Sequence, residues 1–96
     1  MKFVIKRKEK LTSNIFLMAV TAEWVARSAK PGQFVIVIID DKGERIPLTI
    51  CDYDPVKGTI VLVFQVVGKS TEKMASLAVG EKFKDIVGPL GKESLM

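Results

Sequence analysis

Residues 34–67, FVIVIIDDKGERIPLTICDYDPVKGTIVLVFQVV, decide the fold. Phe34 to Ile39 is a run of mostly β-branched residues, the composition of a strand. Asp40-Asp41-Lys42-Gly43 is a tight-turn signal between two apolar runs, so Ile46 to Asp52 returns as a hairpin partner. Tyr53-Asp54-Pro55-Val56-Lys57-Gly58 is a second turn, leading into a long strand from Thr59 to Val67. Polar residues are nearly absent from both faces of that last run. It reads as a strand covered on two sides, one by a barrel interior and the other by a ligand or neighbouring domain. Three strands joined by hairpin turns favour an antiparallel barrel over a parallel α/β sheet.

The flanks extend the pattern. Lys2 to Leu11 alternates, with Lys2, Lys6, Lys8 and Lys10 on even positions and Phe3, Ile5 and Leu11 on odd ones. Arg7 breaks the sorting, and the even side reads as a solvated strand face. Thr12-Ser13-Asn14 is a turn, followed by a strand from Ile15 to Thr21. Ala22 to Ala29 forms at most a helical turn, which Pro31-Gly32 stops. After Gly68, Ser70 or Thr71 opens a short helix with Met74, Leu77 and Ala78 at helical spacing and Glu72 in its first turn. Val79-Gly80 ends it, Lys82 to Val87 is a last strand, and Gly88-Pro89-Leu90-Gly91 closes the domain. The expected fold is all-β: a six-stranded antiparallel Greek-key barrel with one short helix.

Composition narrows the chemistry. Ninety-six residues, 48% of them apolar, make one domain with a hydrophobic core and leave no room for a second. There is no histidine, hence no imidazole base or histidine metal site. A single cysteine, Cys51, permits neither an internal disulfide nor a self-contained iron–sulfur cluster. No residue is assigned a catalytic or metal-ligating role, so any chemistry comes from a bound cofactor, a partner or residues outside this chain. The longest uncharged apolar stretch falls far short of the roughly 20 residues of a membrane-spanning helix, and the N-terminus does not have a secretory pattern. The default location is the cytoplasm. A net charge of 15 − 11 = +4 is too small and dispersed to demand nucleic acid.

Two stretches carry the ligand signal. In Glu44-Arg45-Ile46-Pro47-Leu48-Thr49, Pro47 suits an edge or ligand-facing strand, Leu48 offers an apolar wall and Thr49 a hydroxyl beside it. In Gln65-Val66-Val67-Gly68-Lys69-Ser70-Thr71, a strand ends in glycine and a helix begins. Free N–H groups, two hydroxyls and the Lys69 ammonium there suit a phosphate. Gln65, alone and polar in an apolar run, fits a bound polar edge. Each element also has a plain reading: Ser70 as a helix cap, Pro47 as protection of a sheet edge, Cys51 as a small buried residue, Trp24 as a packing anchor, and Met74 and Leu77 as core.

Together, Pro31-Gly32-Gln33-Phe34, Arg45-Ile46-Pro47-Leu48-Thr49, Gly68-Lys69-Ser70-Thr71 and Gly88-Pro89-Leu90-Gly91 resemble, in order and spacing, the FAD-binding barrel of the ferredoxin–NADP reductase superfamily. The likeness is to two subunit families: the small subunit of NADH-dependent ferredoxin:NADP oxidoreductase (sulfide dehydrogenase), and the electron-transfer subunit of dihydroorotate dehydrogenase. The resemblance implies a barrel with FAD across its open face. It places Thr49 at the flavin N5, Pro47 and Leu48 along the ring, and Phe64, Gln65 and Val66 beside the flavin and ribose. Gly68, Lys69, Ser70 and Thr71 take the diphosphate. The family's phosphate-binding arginine falls at Ile46, so Arg45 reaches the diphosphate only if a bulge re-aims it.

Such subunits continue into an NAD(P)-binding domain and a [2Fe–2S] segment. The 96 residues therefore read as an N-terminal FAD-binding domain. Its expected partners are that C-terminal domain, a larger iron–sulfur/flavin subunit and ferredoxin. The implied function is to pass electrons between NAD(P)H and ferredoxin or iron–sulfur partners through flavin, and the fragment by itself is inactive. One alternative is a cofactor-free barrel that docks a protein partner. An oligonucleotide-binding barrel ranks last, because the lysine-rich strand carries no aromatic stacking residue besides Phe3.

Overall fold

The computed structural model describes residues 2–42 and 44–92; Gly43, expected in the turn after Lys42, lies outside them. Strands β1 (Ile5–Lys10) and β2 (Ile15–Thr21) form the first hairpin, closed by Leu11 N–H donating to the Ile15 carbonyl at 2.8 Å. Helix α1 (Glu23–Ser28), β3 (Phe34–Ile38), β4 (Arg45–Asp54) and β5 (Thr59–Gln65) follow. Helix α2 (Lys69–Ser76) and β6 (Asp85–Leu90) complete the described chain. Neighbouring strands are antiparallel throughout, in the order β1-β2-β5-β4-β3-β6. β3, β4 and β5 are a consecutive meander with β2 returning beside β5, the Greek-key arrangement. β1 and β6 do not zip along their length. Instead Val4 bridges Lys82, and Ile5 N–H donates to the Glu81 carbonyl at 2.8 Å, so the segment preceding β6 meets the segment preceding β1 in a barrel-like fold whose sheet is not closed.

Alternation builds the core. On β5, Ile60, Leu62 and Phe64 are buried and meet Met18, Val20, Val35 and Val37 from the facing strands. Burying one such aliphatic side chain contributes about 1.5–3 kcal/mol. Met74 of α2 is fully buried in this cluster and Leu77 lies half-buried against it, as their spacing predicted. The outward face of β5 is only partly covered by the described residues. Val61 and Val63 are only half-buried, between side chains of the flanking strands, and Val67 beyond the strand is 75% exposed.

Two helices, not one, accompany the strands among the described residues. α1 forms without a side-chain cap at Ala22. Its support is the burial of Val25 and Ala26 against the barrel, with Glu23 and Arg27 at the ends that favour their charges. Because successive residues are about 100° apart around a helix, burying Val25 and Ala26 turns Trp24 outward. Trp24 is 73% exposed and is not the packing anchor expected. Cys51 is likewise not buried. It sits where the β4–β5 register shifts between Ile50 and Asp52, and alternation from buried Ile50 puts it on the outward side with Pro47 and Thr49.

A second bulge, between Ile5 and Arg7, explains why Arg7 breaks the alternation of the first strand and corrects the reading of Lys8, while Lys2, Lys6 and Lys10 are exposed as expected. Beyond it the even residues share a face with the core side of β2: Lys8 pairs with buried Met18, and Lys10 with Phe16. Lys8 is therefore half-buried. Its ammonium lies 5.4 Å from the Phe16 ring centroid and donates to the Ala75 carbonyl at 2.5 Å. The last strand is also displaced, from Lys82–Val87 to Asp85–Leu90. Lys82 and Phe83 are taken up by the bridge to the N-terminal segment, and Leu90 pairs with Phe34 across a bulge. Gly88 enables that close approach: its φ is +151°, and a Cβ there would stand 2.9 Å from Val35 Cγ1.

Candidate functional site

The register between β3 and β4 is unbroken from Ile38–Arg45 to Phe34–Thr49. No bulge lies between Arg45 and Thr49, so side chains alternate strictly. Arg45, Pro47 and Thr49 share the outward, exposed face, while Ile46 and Ile50 are buried and Leu48 packs half-buried against the core. Arg45 thus keeps the phase of Pro47 and Thr49, and nothing turns it to the side of Ile46. Pro47, Leu48 and Thr49 line a shallow depression with Gly32 and Phe34, of about 300 Å³. Gly32 and Phe34 were not singled out as site residues by the sequence. The signal available for them was the Pro31-Gly32-Gln33-Phe34 motif.

Gln33 holds that motif in place. Its side-chain carbonyl accepts from Lys30 N–H at 2.8 Å, its amide donates to the Gly91 carbonyl at 2.9 Å, and its backbone carbonyl accepts from Ile50 N–H at 3.0 Å. One glutamine therefore ties the entry to β3, the exit of β6 and the middle of β4 around the depression.

The second stretch divides by burial. Phe64 is 3% exposed and stacks on Phe16, with centroids 5.9 Å apart, so its ring belongs to the core. Val66 also packs on the core, whereas Gln65 is exposed. At the start of α2, Gly68 rather than Ser70 precedes the first helical residue, and the capping hydroxyl is that of Thr71. Thr71 Oγ1 accepts from Val67 N–H at 2.8 Å and from Gly68 N–H at 3.1 Å, and donates to the Gly68 carbonyl at 3.0 Å. It is fully occupied in shaping the turn.

The donors left over are those a phosphate would use. The first intrahelical bond runs from Glu72 N–H to the Gly68 carbonyl, at 2.9 Å. The amides of Lys69, Ser70 and Thr71 precede it and have no acceptor within the helix. The Ser70 hydroxyl makes no hydrogen bond among the described residues, and the exposed Lys69 has no ion pair there. No atom would lie within 4 Å of a Cβ built on Gly68, so the approach to these amides is open. α2 also contacts β4, the strand that carries Pro47 and Thr49.

Among the described residues no group of three or more Cys, Asp or Glu side chains could hold a metal ion, and no helix is long and apolar enough to cross a membrane. A charged brace ties α2 to the β3–β4 connection. Lys73 of α2 is ion-paired with Asp40 and lies 3.9 Å from a Glu44 oxygen. Their mutual hydrogen bond holds Asp40 below the usual carboxylate range and Lys73 above the usual lysine range.

With this geometry, related proteins are informative. The chain superimposes on the structure of NADH-dependent reduced ferredoxin–NADP oxidoreductase with a TM-score of 0.97 and 38% identity, covering 99% of this chain and 34% of that one. It carries the ferredoxin reductase-type barrel. A protein of Thermotoga maritima, the dihydroorotate dehydrogenase B (NAD(+)) electron-transfer subunit homolog, is 40% identical over 90 residues, which are 94% of this chain and 32% of its own length. An uncharacterised Clostridium beijerinckii protein from the adh 3′ region is 55% identical over 92 residues, again 31% of its length. The barrel also matches the siderophore-interacting protein of Acinetobacter baumannii at TM-score 0.76 and 17% identity, a likeness of fold alone. No family model matches the chain. The chain spans about one third of the length of the curated relatives it matches.

Proposed function

We propose that this chain is the FAD-binding domain of an electron-transfer oxidoreductase subunit that passes electrons between NAD(P)H and ferredoxin or iron–sulfur partners. The observations that support the reading are unsatisfied donors in the first turn of α2, a helix that touches β4, and an outward-facing depression on β4 that ends in a hydroxyl. The residues present fit FAD. The amides of Lys69 to Thr71, the Ser70 hydroxyl and the Lys69 ammonium would hold the diphosphate. Pro47 and Phe34 would wall the ring, with the Thr49 hydroxyl directed to its polar edge and the exposed Gln65 available to a ribose. Arg45 shares the face of Thr49 and adds positive charge along it. Phe64, Val66, Leu48 and Thr71 support from beneath. When bound, FAD supplies both the hydride and the single-electron chemistry.

The NAD(P) site, a [2Fe–2S] cluster and the docking surface for a larger partner subunit belong, in this reading, to chain beyond these residues. Hydride transfer therefore requires that chain. The cytoplasm fits a protein whose single cysteine is an exposed free thiol. The test is titration with FAD followed by flavin fluorescence. We expect saturable quenching, weakened at least several-fold by Thr49→Ala and by Lys69→Ala/Ser70→Ala. Binding that both substitutions leave unchanged would refute the site. A full-length subunit that takes up no FAD would refute the function.

A further inference from the structure

The two halves of the proposed site are far apart along the chain. The ring wall lies on β4, and the diphosphate donors open α2 after a whole further strand. Something non-local must set their separation. Met74 fixes the depth of α2, being fully buried in the core. At the C-terminal end, Lys8 donates to the Ala75 carbonyl, where the helix dipole favours a cation. Neither contact fixes how the helix is turned relative to β4, because Met74 is apolar and non-directional and the Ala75 bond is made by the backbone at the C-terminal end.

Lys73 supplies the missing constraint. It lies one turn after Ser70, and its ammonium is ion-paired with Asp40 in the β3–β4 connection while facing Glu44, the residue before Arg45. The neighbouring Asp41 is occupied by Lys84 at 2.5 Å, so the connection is anchored from two sides and offers Lys73 a fixed acceptor. Side chains of Lys73 and Asp40 are 35% and 30% exposed, a setting in which an ion pair contributes little to global stability. What such a pair does provide is direction.

We infer that Lys73, braced on Asp40 and Glu44, is a positioning residue that sets the first turn of α2 against the 45–49 strand and so tunes the grip on the diphosphate half of the cofactor. The inference rests on the function proposed above, and it assigns Lys73 no contact with ligand. A conformational effect of this kind acts on FAD, which has a diphosphate, and spares riboflavin, which has none.

The experiment compares dissociation constants of the 96-residue chain for FAD and riboflavin in wild type, Lys73→Met, Asp40→Asn, the double variant and Lys73→Arg. Backbone amide shifts of Lys69–Thr71 are recorded without flavin. Lys73→Met and Asp40→Asn should each weaken FAD by about two- to fivefold, the factor matching an exposed pair, and change riboflavin by less. The double variant should be no worse than either single one. Lys73→Arg should restore FAD affinity, and Lys73→Met should move the Ser70 and Thr71 amide resonances. Equal losses for FAD and riboflavin, additive losses in the double variant, or unmoved amides would overturn the inference while leaving the site standing. A wild-type chain that binds neither flavin would overturn the inference together with the proposed site, the function itself being tested on the full-length subunit.

Discussion

Replacing Thr71 by valine isolates the turn that presents the phosphate donors. The side chain keeps its branched shape and loses one hydroxyl, which accepts from the Val67 and Gly68 amides and donates to the Gly68 carbonyl. A hydrogen bond contributes about 0.5–1.5 kcal/mol net. Val67 and Gly68 are exposed, so water can replace the hydroxyl at all three partners and each bond counts at the low end. The expected loss is roughly 1–2 kcal/mol, the range of a lost helix cap. For a domain of this size about 1 kcal/mol shifts Tm by roughly 4–8 °C, so Thr71→Val should melt about 5–15 °C below wild type. Thr71→Ser retains the hydroxyl and should lie much closer to wild type. Far-UV circular dichroism is the appropriate probe, since Trp24 is already 73% exposed in the folded state and its emission reports unfolding poorly. Amide exchange at Val67 and Gly68 should accelerate in the valine variant alone. A Thr71→Val melt within about 2 °C of wild type, with unchanged exchange at both amides, would refute the assignment of the turn to this hydroxyl.

Gly58→Ala should cost roughly 1–3 kcal/mol in urea denaturation, because Gly58 has φ +70° and an added Cβ would stand 2.7 Å from Glu23 Cγ. Removing the clash with Glu23→Ala in the same chain should recover part of the loss and leave the backbone component; full recovery would show that φ contributes nothing. The Asp40–Lys73 brace has a defined pH window. Asp40 is lowered from 3.8, so its contribution is present above the unfolded carboxylate value and is lost as pH falls through the lower folded one. Lys73 is raised from 10.5, so its share is present below the unfolded amine value and is lost as pH rises through the higher folded one. The difference in urea midpoint between wild type and Lys73→Met should therefore stay flat from about pH 5 to 9. A midpoint near neutrality in that difference would contradict the pairing.

Much of the architecture was legible in one dimension, where local rules act alone. The β2 strand, the 34–65 meander and the core roles of Met74 and Leu77 followed from alternation, turn residues and helical spacing. Part of the misreading traces to β-bulges, which invert facing without altering composition. One turned Lys8 toward the core, and another lies where Leu90 pairs with Phe34 in the final strand. α1 escaped notice as a regular helix because its support is tertiary, the burial of Val25 and Ala26, rather than a cap.

For the site the division is similar. Residue types alone nominated both stretches, since an apolar strand with a hydroxyl and a glycine-led helix start are chemically distinctive wherever they occur. Which side chains face outward, that Phe64 is core, that Thr71 is consumed by its own turn while Ser70 is free, and that Gln33 and Lys73 tie separate elements together depended on the folded chain. The amino-acid order determined what chemistry was on offer. Only the register of β3 with β4 and the packing of α2 decided how it is arranged, because contacts between residues remote in the chain are set by the burial and pairing of whole elements.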